Sequence, residues 1–407
     1  MSKLAINGGE PVRTEPFAKW PVWNQEEIDA VTAVVKTSKW GSLHGDYTKQ
    51  FEETYAKAHD AKYGIAISSG TTALRIALMA AGVGPGDEVI VPAYTFIATA
   101  SAVIEAGAVP IFVDIDPETY NIATEQIEPA MTPRTRAIMP VHFGGRPADM
   151  DQILEIAKKH NLVVIEDAAQ AWGSSWKGTH VGALGDAGCF SFQSSKNVTS
   201  GEGGIILTND ETINKMVRSH YNCGRSEDGL WYEHYYFGSN LRITEFQSAI
   251  LQVQFNRYPE LMKKRQDNAK YLSEQLREIE GVELMKDDPR VTSNSTHLFI
   301  WRYKKEAFNN VPKAKFLDVM RKEGIQISAG YSLSVYKQPV FQKSAFGPAG
   351  RVIDLGVDYS KLNFPESDKA CEDEGIWFNQ NQFLGTKQDM DDIVTAIKKV
   401  QQNANEI

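Results

Sequence analysis

Between Tyr63 and Leu207, short and almost wholly apolar runs alternate with segments of helical spacing, and no other feature of the 407-residue chain constrains its fold as strongly. The first runs are Tyr63-Gly64-Ile65-Ala66-Ile67, Glu88-Val89-Ile90-Val91, Pro110-Ile111-Phe112-Val113, Ala137-Ile138-Met139 and Leu162-Val163-Val164-Ile165. Cys189-Phe190-Ser191-Phe192 and Ile205-Ile206-Leu207 complete the series. Helical spacing fills the gaps from Gly70 to Ala81, Ile97 to Ala106, Thr124 to Ala130 and Asp149 to His160; in the first of these Leu74, Leu78 and Ala81 share a face. Strands this apolar need cover on both faces, so the reading is an α/β domain whose mainly parallel sheet is sandwiched by helices. In such sheets ligands gather at the carboxyl ends of the strands.

Beyond Leu207 the pattern turns mainly helical: Ile213 to His220, then a long run from Thr244 to Ile279 that Pro259 is expected to break. An apolar strand from His297 to Trp301 and helices near Ala314 to Lys322 and Asp389 to Val400 predict a smaller C-terminal α+β domain. At roughly 150 residues per domain this length suits two domains, with room for three. Residues 1–255 are assigned to an N-terminal arm and a large domain, and residues 256–407 to the small one. A net charge of −9 without any Lys/Arg run argues against nucleic-acid or acidic-membrane partners. No apolar run approaches a membrane span and the start lacks a signal-peptide core, so a cytoplasmic location is expected. Cys189, Cys223 and Cys371 are far apart, which suggests neither a disulfide framework nor a metal site.

Three segments invite chemistry. Lys196 lies on the connection between two apolar strands, followed by Gly201-Glu202-Gly203-Gly204. It reads either as a solvated loop lysine or as a Schiff-base lysine whose desolvated amine attacks an aldehyde. Ser68-Ser69-Gly70-Thr71-Thr72 stands where the first strand meets a helix, either as a plain N-cap or as an anion cradle. Asp167 follows the Leu162–Ile165 run, where it either caps a turn or awaits a cationic partner such as a protonated ring nitrogen. A phosphate cradle, an acid for a ring nitrogen and a lysine for an aldehyde carbon together match pyridoxal 5'-phosphate. The dinucleotide alternative lacks both GxGxxG and GxxxxGK[ST], and HExxH is absent too. His142 and His180 remain open as bases or as structural histidines.

With these residues in view, the chain resembles the fold-type-I pyridoxal-phosphate sugar aminotransferases of the DegT/StrS type, essentially end to end. The matching stretches are Ser69 to Leu74, Gly86 to Pro92, Thr95 to Thr99, Pro140 to Gly144, Glu166 to Gln170, Phe190 to Phe192 with Lys196 and Gly201 to Gly204, and Gly238 to Gln247. The opening Gly8-Gly9-Glu10-Pro11-Val12-Arg13 and Trp20-Pro21 are most similar to the branch holding keto-inositol aminotransferases and aminohydroxybenzoate synthases. The resemblance implies that Lys196 forms the Schiff base and that Asp167 pairs with the pyridine nitrogen. It further implies that Phe96 stacks on the ring, that Gln170 faces the phenolic oxygen, and that Gly70, Thr71 and Ser191 hold the phosphate. Asn240 would reach the site from the neighbouring subunit of a homodimer with shared active sites. Amino transfer from L-glutamate or L-glutamine to a keto or aldehyde carbon of a sugar-like polyol is the implied activity. A 3-amino-5-hydroxybenzoate synthase-like dehydratase and a cofactor-binding sensor are the alternatives. Where many members carry Pro-Leu-His, this chain reads Tyr331-Ser332-Leu333-Ser334-Val335-Tyr336-Lys337. Tyr331, Tyr336 and Lys337 are therefore the candidates for lining the acceptor pocket.

Overall fold

The structure, a computed structural model, describes residues 3–407. Seven strands form the central sheet: β1 (Tyr63–Ile67), β2 (Glu88–Pro92), β3 (Val109–Val113), β4 (Thr135–Ile138), β5 (Val163–Asp167), β6 (Ala187–Ser191) and β7 (Gly204–Thr208). Their spatial order is β1-β7-β6-β5-β4-β2-β3. All run parallel except β7, which is antiparallel to β1 and β6. Side chains alternate across the sheet as the two-residue period requires. Val89 and Val91 enter the core shared with helices Gly70–Ala80 and Ala98–Glu105, whereas Ile90 enters the core on the opposite face with Ile153 and Ala157 of helix Met150–His160. The predicted mainly parallel, helix-covered sheet is the observed one.

One prediction fails at Pro259. The helix Glu245–Leu276 runs through it for 32 residues, opened by a capping box in which the Thr244 hydroxyl accepts from the Gln247 N–H. Proline removes one backbone donor, yet Tyr258, Arg265, Asn268 and Leu272 are buried along the same helix, and that packing offsets the missing bond. The position 255/256 therefore lies inside a continuous helix that serves both halves of the molecule.

The small domain is built on a three-stranded antiparallel sheet of β8 (Val282–Leu284), β9 (Leu298–Tyr303) and β10 (Gly375–Asn379), in the order β8-β9-β10. Helices Lys313–Lys322 and Lys387–Gln402 cover it. The N-terminal arm packs here, with Leu4 and Phe17 in the small-domain core. The irregular 331–373 stretch instead lays Val335, Tyr336, Phe341 and Tyr359 against the large-domain core. Chain segments thus cross between the two halves in both directions, which brings arm, sheet and small domain to one cleft. No described helix is long and apolar enough to cross a membrane.

Candidate active site

The cleft is a cavity of about 560 Å³ at the carboxyl ends of the central strands. From the large domain it is lined by Ser69, Gly70 and Thr71 after β1, Thr95 and Phe96 after β2, Asp167 and Gln170 at and beyond the end of β5, and Ser191 and Lys196 at and beyond the end of β6. The structure thus brings together every site residue expected from the large domain except Asn240.

Asp167 is buried, and its carboxylate accepts the Thr99 hydroxyl at 2.8 Å and the Ala169 N–H at 3.2 Å. No cation forms an ion pair with it among the described residues, and burial raises its carboxyl above the usual range. Opposite stands Lys196, whose amine lies 5.9 Å from the centre of the Trp172 ring and donates no hydrogen bond among the described residues. Burial lowers it to about 8, with Asp167 pulling weakly the other way. A neutral, nucleophilic amine is therefore accessible near physiological pH.

The cradle is equally specific. Ser69 caps helix Gly70–Ala80, its hydroxyl accepting the Thr72 N–H at 3.2 Å and leaving the first-turn donors of Gly70 and Thr71 facing the cavity. A Cβ at residue 70 would stand 2.7 Å from the Ser191 Cβ, so only glycine lets the helix start and the Ser191 hydroxyl converge on one anion. Gln170 accepts the Gly144 N–H at 2.8 Å through Oε1, which turns its amide nitrogen the other way. Phe96 is 55% exposed, a flat apolar face left open on the cavity. A carboxylate without its cation, a helix-start cradle, a free desolvated lysine and an open aromatic face fit a phosphorylated pyridine aldehyde.

Sequence reasoning missed the far wall. Trp20 of the arm and His297, Trp377, Asn379, Gln380 and Asn381 of the small domain line the cavity beside Tyr331. His297 carries a defined tautomer: Asn197 donates its amide to the Ser295 carbonyl at 2.9 Å, so its oxygen accepts from His297 Nδ1 at 2.8 Å and leaves Nε2 as an acceptor. Burial, with Lys196 and Arg265 nearby, holds this ring well below its ordinary pKa and therefore neutral. Only the amide-rich Asn379-Gln380-Asn381-Gln382 run directly after an apolar strand offered a local signal.

Two expected pocket residues lie elsewhere. Tyr336 is buried in the core with its hydroxyl donating to Asp368 at 2.7 Å, and Lys337 pairs with Asp368 at 2.9 Å and Glu372 at 3.3 Å. Both lie on the short 3-10 turn Val335–Lys337 and turn to Asp368, and only Tyr331 of the three reaches the cavity. Asn240 is exposed and outside its own chain's cavity. His142 is sealed in a network in which its Nε2 donates to Glu166 at 2.9 Å and Nδ1 accepts the Ala148 N–H, while His180 pairs with Asp60.

Comparison with known proteins agrees with this chemistry. The model of the DegT/DnrJ/EryC1/StrS aminotransferase family matches residues 21–354. A Streptoalloteichus tenebrarius protein provisionally named L-glutamine:3-amino-2,3-dideoxy-scyllo-inosose aminotransferase is 37% identical, over 99% of both chains. The L-glutamine:2-deoxy-scyllo-inosose aminotransferase of Micromonospora echinospora is 32% identical over the whole of both. Among solved structures, 3-amino-5-hydroxybenzoic acid synthase superposes with a TM-score of 0.85 at 32% identity, covering 95% of this chain and 99% of that one. NtdA of Bacillus subtilis, solved with bound cofactor PMP, superposes at 0.82 and 29% identity, covering 96% and 86%.

Proposed function

Because the chain belongs to the DegT/DnrJ/EryC1/StrS aminotransferase family, and so is a pyridoxal-phosphate-dependent aminotransferase, we propose that it moves the amino group of L-glutamine to the ketone carbon of a keto-inositol or similar cyclic polyol in amino-sugar biosynthesis. The observation that carries the reading is the pairing, across one cavity, of an amine lowered to about 8 with a buried carboxylate that lacks its cation. The names of the relatives that align end to end support L-glutamine as donor and an inosose as acceptor, and favour transfer over aromatisation or sensing.

Bound in this cavity, the cofactor supplies an electron sink that stabilises negative charge at the donor's α-carbon. The chain's residues do the rest. Asp167 would stabilise a proton on the ring nitrogen, and the first-turn N–H groups of Gly70 and Thr71 with the Ser191 hydroxyl would hold the phosphate. Phe96 would cover one ring face, and the Gln170 amide would face the ring oxygen. Lys196 would supply an amine for the cofactor's aldehyde carbon and a base able to move a proton between carbons. Tyr331, opposite the sheet, borders the acceptor.

We further propose a cytoplasmic homodimer. Leu230, Trp231, Tyr232 and Phe237 are 72, 77, 75 and 91% exposed on one loop, an apolar surface that a second copy would cover. Asn240, at the base of that loop and outside its own cavity, would then reach the partner's phosphate.

The test is the absorption spectrum of the purified holoenzyme before and after L-glutamine alone, followed by a keto-inositol. Loss of the visible band with glutamine and its return with the ketone is the expected outcome. A band indifferent to glutamine, glutamate, alanine and aspartate would overturn the reading.

A further inference from the structure

Behind the far wall of the cavity lies a cation with no counter-ion. Arg265, on helix Glu245–Leu276, is 0% exposed, and no carboxylate forms an ion pair with it among the described residues. Its Nε and Nη2 both donate to Gln380 Oε1, at 2.9 and 2.6 Å. Its Nη1 is buried without a hydrogen-bond partner among the described residues. The guanidinium lies 5.0 Å from the centre of the Trp20 ring, and the Trp20 indole N–H is tied to the Ser194 carbonyl at 3.0 Å. Trp20 and Gln380 both line the cavity, so Arg265 stands one side chain removed from the reacting centre.

Two consequences follow from elementary chemistry. A guanidinium has donors only, so the Gln380 amide cannot flip: its oxygen must face Arg265 and its NH₂ must face away. That NH₂ has a single protein contact, the Ser195 carbonyl at 3.5 Å, and is otherwise unengaged at the cavity wall. A buried, unpaired cation is costly, and an anion arriving beside it recovers that cost. The phosphate cradle is built elsewhere, at residues 69–71 and 191, and Asp167 already serves the ring nitrogen, so neither supplies the anion that this wall lacks.

We infer that Gln380, locked and polarised by Arg265, receives the carboxylate of the amino donor, with Gln380 Nε2 as the touching group and Arg265 as a positioning residue that supplies the positive field. The inference rests on the aminotransferase reading above and deepens it. It explains how a cavity that has no arginine among the described lining residues of its own chain selects an amino acid: the charge is delivered through an amide. It also explains why the residue behind Gln380 is an arginine, since a lysine could not donate two bonds in one plane to the same oxygen.

The experiment uses the holoenzyme and two unreactive probes, glutaramate, which is glutamine without its amino group, and glutaramide, its neutral diamide. Binding is read by calorimetry and by perturbation of the visible band. Wild-type protein should prefer glutaramate. Gln380→Glu keeps the side chain's size, gives Arg265 an ion-pair partner and so preserves the fold, but removes the amide donor and adds a repelling charge. It should weaken glutaramate by roughly 10- to 100-fold, the range for a lost hydrogen bond to a charged group, and leave glutaramide nearly unchanged. In the half-reaction the same factor should appear in the Michaelis constant for L-glutamine and not in kcat or in the constant for the ketone. Arg265→Met, which frees the amide to rotate, should lose most of the same preference; a merely structural role for Arg265 would leave the ratio of the two probes unchanged. Equal glutaramate affinity in wild type and a folded, cofactor-loaded Gln380→Glu protein overturns the inference, as does an effect confined to the ketone. Glutaramate binding that depends on Gln380 in a protein unconverted by any amino donor would instead sink the proposed activity and leave the carboxylate receptor standing.

Discussion

Two lysines of the molecule are brought to about the same pKa, and only one of them has its donors engaged. Burial lowers both Lys196 and Lys313 to about 8. Lys313 opens helix Lys313–Lys322 in the small domain, and its ammonium donates to the Cys371 carbonyl at 2.5 Å with the Ala329, Ala370 and Gly375 carbonyls at 3.3–3.4 Å. It ties the carboxyl end of the 365–374 helical segment to the start of β10, and its donors are engaged. Burial lowers Lys196 as well, but its amine makes no hydrogen bond among the described residues and it lines a cavity. A depressed lysine pKa therefore marks burial, and it is the unengaged amine beside a void that marks chemistry.

The largest expected effect is at Lys196. Lys196→Ala should remove the visible band and lower turnover by on the order of 10⁴-fold, the upper range for a positioned proton-transfer group, to which loss of the nucleophile adds. Spectrophotometry and steady-state rates check both, and retention of either band or turnover would reassign the residue. Lys313→Met should do the reverse. Several buried carbonyls would lose their donor, costing about 2–4 kcal/mol in a urea titration, while kcat per folded molecule stays within about twofold. If Lys313→Met were stable but inactive, the engaged lysine would be the functional one and the contrast would collapse.

The same contrast explains what could be read from sequence. β1 to β7 were legible because strands covered on both faces write themselves as short apolar runs, and Asp167 and Lys196 stood out because a charged residue just past such a run needs a reason. The far wall was not legible. Trp20 meets Ser194 across 174 residues and Arg265 meets Gln380 across 115, and nothing local at Trp20 or Arg265 announces the encounter. Pro259 misled for the opposite reason: a local breaker was overridden by side chains buried along both flanks of its helix. Tyr336 and Lys337 were drawn from a polar loop next to Tyr331, and there proximity in sequence was no guide to the direction a side chain takes.

A smaller effect sharpens the comparison through pH. In the cofactor-free protein the charged form of Lys196 is disfavoured by burial, so the folded state holds it at about 8 against an ordinary 10.5. Between those values the unfolded chain binds more protons than the folded one, and stability rises with pH; below about 8 the penalty is fully present. Lys196→Met keeps the aliphatic stem and removes the charge. The variant should be more stable than wild type by about 1–3 kcal/mol at pH 7, and the gap should close as pH rises from 8 towards 10.5. Urea midpoints at pH 7 and 9.5 measure it, and a gap that widened with pH would show that the amine is satisfied after all.

The smallest expected change concerns Lys337, a lysine at the opposite extreme from Lys196. It is a half-buried cation paired with Asp368 and Glu372, and those partners hold its pKa above the ordinary value rather than below it. Such rim pairs contribute little, so Lys337→Ala should cost less than ~1 kcal/mol of stability and leave the Michaelis constants for both substrates unchanged. Tyr331→Phe provides the internal contrast, because Tyr331 lines the cavity that Lys337 does not reach. Its loss should raise the constant for the ketone by roughly 3- to 10-fold, the cost of one neutral hydrogen bond. If the order were reversed, with Lys337→Ala weakening the ketone and Tyr331→Phe indifferent, the acceptor would lie over the 334–337 loop and not against β10. A charged loop lysine would then have to be counted as part of the site in spite of its ion pairs.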